Sequence, residues 1–108
     1  MQKEIDEKDW KLFRKKLPDW QEAFMAELNQ EYIRILRQNR SASDNFWELE
    51  TRIREDKHKT GVLARDICRS NMLSLMMDLI RDGAINAKDL DGFSKDLQER
   101  LLTLSQWT

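Results

Sequence analysis

The chain carries one histidine, His58, and one cysteine, Cys68, and these two residues bound the chemistry it can perform. His58 is the sole candidate for a histidine general base. A Ser-His-Asp triad would have to recruit it, yet no serine is flanked by the glycines of a nucleophile elbow. A zinc site draws its three or four protein ligands largely from Cys and His, so one of each cannot build a ribbon or finger within one chain. A single thiol leaves no internal disulfide and fits a reducing compartment. Between Asp78 and Asp89 the acids fall partly as in a calcium loop, with Asp at loop positions 1, 5 and 12 and Gly83 at position 6. Ile80 at position 3 offers no side-chain oxygen, and Asp89 replaces the usual bidentate Glu, so this stretch reads as a helix stop, a turn and a restart. The remaining carboxylates are spaced as a solvated helical surface. No catalytic, cofactor-binding or metal-ligating residue is assigned, no cofactor is expected, and the chain reads as a non-enzyme.

Electrostatics opens a different possibility. The formal net charge is -1, which disfavours nonspecific nucleic-acid binding driven by phosphate neutralisation. Local excess remains: Lys11, Arg14, Lys15 and Lys16 sit together without an acid, and between Thr51 and Ser70 six cations face three acids. Arg52, Arg54, Arg65 and Arg69 are the candidate nucleic-acid contacts of that region. The stretch from Leu63 to Ile85 resembles the recognition region of a winged helix-turn-helix. That resemblance implies a first helix holding Ala64 and Ile67, a second starting at Arg69 to Ser74, and a wing opening at Asp82 to Ile85. Against it, no turn residue separates Ile67 from Met72, and another helical pattern follows Ile85. Arg52 and His58 also resemble, by their spacing, the ribonuclease motif of HEPN-type helical domains. In that family an Arg and a His converge on a 2′-hydroxyl and the scissile phosphate, and a polar residue usually follows the Arg. Here Ile53 does, and the motif closes a helix where the family's opens one.

Four tryptophans are many for 108 residues. Trp10 and Trp20 lie on apolar stripes and read as core. Trp47 lies off its stripe and Trp107 is almost terminal, so these two are the candidate partner-binding residues, because Trp is enriched at interface hot spots.

The elements that must position these residues are all helices. Apolar residues recur at helical spacing throughout, and three glycines and one proline are too few for an all-β fold. The first helix spans about 9–16, capped by Asp9 and broken by Pro18, which then opens a second helix over 18–38. Ser43 caps a third, with Phe46, Leu49 and Ile53 as its apolar stripe, ended by the polar run 55–60. A fourth helix spans 60–82 with its second half strongly apolar: Leu73, Met76, Met77 and Ile80 on one face, flanked by Met72, Leu75 and Leu79. Cys68 on that flank reads as a small core residue. Gly83 is the left-handed stop, and Asn86 with Asp89 makes a capping arrangement. The last helix carries Leu90, Phe93, Leu97, Leu101 and Leu104, with Gly92 as a weak point inside it. This is an all-α compact bundle of about five helices with a central apolar fourth helix. It forms one domain over residues 1–108, in which 1–8 are free to be flexible. The charged start has no apolar signal region, and the longest apolar run is far below the ~20 residues of a membrane span. The expected location is the cytoplasm.

The landmarks Trp10 with Phe13, Leu17-Pro18-x-Trp20-Gln21-Glu22, Leu28 with Tyr32 and Phe46-Trp47-x-Leu49-Glu50 resemble those of a family of small helical Firmicutes proteins. Ser70-Asn71-Met72, Asp82-Gly83-x-Ile85, Asp89-Leu90 and Phe93-Ser94 extend the resemblance over most of the chain. Members of that family are uncharacterised and some carry a multidrug-transporter label, which a chain with no spanning segment contradicts. The resemblance implies a helical fold and supplies no activity. The expectation is therefore a non-enzymatic cytoplasmic module that binds a protein partner or itself, with nucleic-acid binding through residues 52–69 as the alternative.

Overall fold

The computed structural model describes residues 5–105. Four α-helices follow in order: α1 (Glu7–Leu36), α2 (Ala42–Asp56), α3 (Met72–Arg81) and α4 (Lys95–Ser105). Single 3-10 turns at Arg69–Asn71 and Ala87–Leu90 lead into α3 and α4. The all-α class holds, with four helices in place of five.

The count differs because Pro18 does not end a helix. It sits inside α1, which runs uninterrupted through it. Pro18 has no N–H to offer the Arg14 carbonyl, but one missing bond in a 30-residue helix is outweighed by the packing of the residues around it. Phe13, Leu17 and Trp20 on either side of it are all buried in the main core. The N-cap is Asp6, whose Oδ1 accepts from the Lys8 N–H at 3.0 Å. Asp9, expected there, is buried and turned to another purpose: its two carboxylate oxygens accept from the Ser94 N–H at 2.8 Å and the Ser94 hydroxyl at 2.7 Å. Ser94 in turn caps α4, its Oγ accepting from the Leu97 N–H at 3.2 Å. An acid near the N-terminus of α1 thus stabilises the positive end of the last helix.

The core is built around the N-terminal half of α1. Phe13, Leu17 and Trp20 pack with Met72, Leu75, Met76, Leu79, Ile85, Leu90, Phe93, Leu97 and Leu101. The ring centroids of Trp20 and Phe93 lie 6.1 Å apart. On α3 the buried face is Met72, Leu75, Met76 and Leu79, while Leu73, Met77 and Ile80 are half-buried. The core face therefore combines Met76 of the expected face with the three flanking residues Met72, Leu75 and Leu79.

The expected helix over 60–82 forms only in its second half. Residues 57–68 are turns, bends and irregular chain, with Leu63 and Ile67 exposed. Three local reasons account for this. Asp66 takes a left-handed conformation (φ 53) that interrupts a helix. The backbone of Gly61 lies against the Phe24 ring, so closely that a Cβ there would overlap it. Thr60 commits its backbone to tertiary bonds: its N–H donates to Asp82 Oδ2 at 3.3 Å and its carbonyl accepts from Gln21 Nε2 at 3.1 Å. Cys68, expected in the core, is exposed on this segment. Its thiol is held below the ordinary range by a hydrogen bond with Ser70 and by backbone bonds from Asn71 and Ser70.

Two glycines take up positive φ. Gly83 (φ 80) stops α3 as expected, with the Ala84 N–H reaching the Leu79 carbonyl at 2.9 Å in a Schellman arrangement. Gly92 (φ 94) is the turn between the 3-10 piece and α4, so it is not a weak point inside a helix. The Asn86–Asp89 capping box is present. The molecule measures 55 × 24 × 22 Å. Its long axis reflects the ~45 Å of α1. The C-terminal half of α1 and all of α2 make an arm beside the main core.

Candidate functional site

The arm places α2 in an unusual way. The side of α2 that meets α1 carries three polar residues, Asn45, Arg52 and Asp56. Ser41 caps the helix by accepting from the Asp44 N–H at 3.1 Å, a role expected for Ser43. Asn45 donates its amide to the carbonyls of Leu36 (3.3 Å) and Gln38 (3.1 Å), and accepts from Arg40 Nε at 2.6 Å. Further along, Arg52 donates to Glu31 at 2.6 Å, and the Tyr32 hydroxyl donates to Asp56 at 2.6 Å. Asp56 is 2% exposed and also holds Lys59 at 3.0 Å, with Arg52 at 3.8 Å. Burial pushes the Asp56 carboxyl up, but the Tyr32 hydroxyl, Lys59 and Arg52 together outweigh it and hold it below the ordinary carboxylate range. Burial and the neighbouring carboxylate push Tyr32 up to about 12, so it stays a neutral donor. This network fastens α2 to α1 and is fully occupied in doing so.

The apolar stripe of α2 consequently points outward. Phe46 is 60% exposed and Trp47 is 61% exposed, and their rings meet edge to face at 5.0 Å. Ile53 is exposed and Leu49 half-buried. Phe46, Leu49 and Ile53 line a shallow groove of about 510 Å³ with Glu50, Arg54 and Lys57 along it. The reason this stripe lies outside the core is the polar network: with Asn45, Arg52 and Asp56 facing α1, residues 46 and 53 are turned away from it. The off-stripe position of Trp47 marks it in the sequence. Phe46 escapes such reasoning because a regular apolar stripe reads as core by default. The readable signal is the competing polar set at 45, 52 and 56, which recurs at i, i+7 and i+11. Trp107 lies outside the described residues.

The arginines of the 52–69 region are largely engaged with carboxylates. Arg52 holds Glu31 and Asp56. Arg54 pairs with Glu50 on its own helix, and Arg69 with Glu7 of α1. Arg65 is exposed. The helix-turn-helix resemblance loses its first element, since Ala64 and Ile67 lie in irregular chain, and no strand follows Ile85 among the described residues. Of the pair with ribonuclease-like spacing, the Arg52 guanidinium is bound to Glu31 and Asp56, and His58 is exposed past the end of α2. In the calcium-like stretch, Asp78 pairs with Arg81 at 3.1 Å and Asp89 accepts from the Asn86 N–H at 2.8 Å. Among the described residues, no three His, Cys, Asp or Glu side chains converge in a way that could hold a metal ion. A second, smaller cleft of about 140 Å³ lies between Asp6, Asp9, Ser94, Leu97 and Arg100, and Asp9 there is already bonded to Ser94. No described helix is long and apolar enough to cross a membrane.

Compared with known proteins, the chain matches no family model, no curated protein and no solved structure.

Proposed function

We propose that this chain is a non-enzymatic protein-interaction module that docks through the outward face of α2. The observation that carries the reading is the pair Phe46 and Trp47, each about three-fifths exposed on a helix whose polar side is buried instead. Exposing two large aromatic rings costs free energy that an isolated domain gains nothing from, whereas buried at an interface they are the residue types that dominate binding. Their patch adds Ile53 and Leu49 and is rimmed by Glu50, Arg54 and Lys57, the usual arrangement of an apolar centre and a charged rim. The ion pairing of Arg52, Arg54 and Arg69 supports a protein partner over nucleic acid, because each guanidinium already has a carboxylate in place of a phosphate. The free, exposed thiol of Cys68 is in keeping with the cytoplasm.

The test compares the full chain with a Phe46→Ser, Trp47→Ser variant whose helix content matches by circular dichroism. Both are immobilised and exposed to cell lysate. The reading expects proteins retained by the parent and released by the variant, the chain itself being an allowed capture. An identical retained set from both would refute it.

A further inference from the structure

The geometry points to a particular occupant of the α2 face: we infer that it is the α2 of a second copy, laid antiparallel across a two-fold axis so that two arms close into a four-helix bundle. The inference rests on the docking reading above and names its partner. Three features converge on it.

The first is architectural. A two-helix arm buries only the faces its helices turn to each other: Leu28 and Ile35 of α1 are buried, while Phe46 and Ile53 of α2 are left exposed. Here α1 meets the side of α2 that carries Asn45, Arg52 and Asp56, so the arm is half of a bundle whose missing half would have to present the same kind of surface. A second arm does so by symmetry, since a two-fold interface is self-complementary by construction.

The second is charge. Glu50 stands at the middle of α2, and Arg54 and Lys57 at its end. By helical spacing all three lie within about a quarter-turn of Phe46, whereas Asp44, Glu48 and Glu55 fall on the far side and do not share that strip. Laid antiparallel, with Phe46 level with Lys57 of the second copy, the Leu49-Glu50 pair falls level with the Ile53-Arg54 pair. Each Glu50 then gains a second guanidinium, and each Phe46 is covered by an alkyl stem. A parallel arrangement would place Glu50 on Glu50, Arg54 on Arg54 and Lys57 on Lys57.

The third is area. Phe46, Trp47, Ile53 and Leu49 leave on the order of 350 Å² of apolar surface open. A stable interface of ~800 Å² per partner, a little over half of it apolar, needs roughly 450 Å². The α2 patch alone supplies about three-quarters of that, which suits a dimer that dissociates on dilution.

Light scattering coupled to size exclusion, run over a concentration series, reads the outcome directly. The chain of 13.0 kDa is expected to elute as a dimer that dissociates on dilution. Phe46→Asp should weaken association by about 100-fold or more. The decisive arm is a charge swap. Glu50→Lys sets cation against cation across the seam of its homodimer, and Arg54→Glu sets acid against acid. Each alone should run as a monomer. An equimolar mixture of the two variants should restore the dimer, because the cations of one chain then face the acids of the other at both positions. Restoration by mixing cannot come from a misfolded variant. A parent chain that stays monomeric throughout overturns self-pairing, and leaves the docking reading to stand or fall on its own capture experiment. A dimer that survives Phe46→Asp, or single swap variants that mixing does not rescue, overturns the α2 seam.

Discussion

Replacing Asp56 by Asn keeps the shape of the side chain and removes its charge, at a point where α2 is fastened to α1. In the native structure this carboxylate, 2% exposed, accepts from Tyr32 at 2.6 Å and from Lys59 at 3.0 Å. The Tyr32 bond is charge-assisted and sheltered, and such bonds contribute about 1.5–3 kcal/mol. The Lys59 and Arg52 pairs lie partly in solvent and contribute about 0.2–1 kcal/mol each. Asp56→Asn should therefore destabilise the protein by about 2–3 kcal/mol and Tyr32→Phe by about 1–2 kcal/mol, with a coupling near 1–2 kcal/mol in the double-mutant cycle. Urea unfolding followed by far-ultraviolet circular dichroism measures all four corners of the cycle. The pH dependence gives a second reading. The folded-state carboxyl lies below its unfolded value of 3.8, so its contribution is fully present above that value and is lost as pH falls through the folded one. Parent and Asp56→Asn stabilities should converge as the solution is acidified below about pH 4. A coupling indistinguishable from zero, with parallel pH curves down to that range, would show that this network does not hold the arm.

Two further substitutions bear on how the chain packs. Pro18→Ala restores the N–H missing from the middle of α1 at an exposed position, and should raise stability by about 1–3 kcal/mol, seen as a higher melting temperature. An unchanged or lower value would mean that the ring is itself a packing element. Gly61→Ala drives a methyl into the Phe24 ring, whose Cγ lies 2.8 Å from the Cβ position, and should cost about 1–3 kcal/mol by overpacking. Pairing it with Phe24→Leu should recover part of that loss in the same denaturant titration, because the smaller side chain vacates the site.

The parts of the fold legible in the sequence are those governed by local rules. Gly83 stops α3 because few other residues take its conformation easily, and Asn86 with Asp89 caps the following turn through their own backbone. The apolar periodicity of residues 72–81 and 95–105 reports helices that bury one side. Local rules mislead where distant residues intervene. Pro18 reads as a breaker only while the packing of Phe13, Leu17 and Trp20 is unknown. Asp9 reads as a cap of its own helix until Ser94, 85 residues later, is found against it. Residues 60–71 are apolar enough for a helix, but the Phe24 ring, Gln21 and Asp82 claim their backbone. The α2 face is half visible: Trp47 stands off its stripe, while Phe46 and Ile53 follow the pattern of a core helix and can be placed outside only by noticing what lies at 45, 52 and 56. Of the sequence landmarks, Phe13, Leu17, Trp20, Leu28, Met72, Ile85, Leu90 and Phe93 are buried here, so they bear on folding and leave activity open.

The clasp between Asp9 and Ser94 has a consequence for how the protein comes into being. The first part of α1 emerges from the ribosome early, yet the fully buried residues of other elements that pack with Phe13, Leu17 and Trp20 all lie at or beyond Met72. The α1–α2 arm needs only neighbours within about the first half of the chain, so it can close during synthesis while the body waits for the last helix. A nascent chain stalled before α4 would hold a formed tip and an open, greasy base, and would be a target for chaperones at that base.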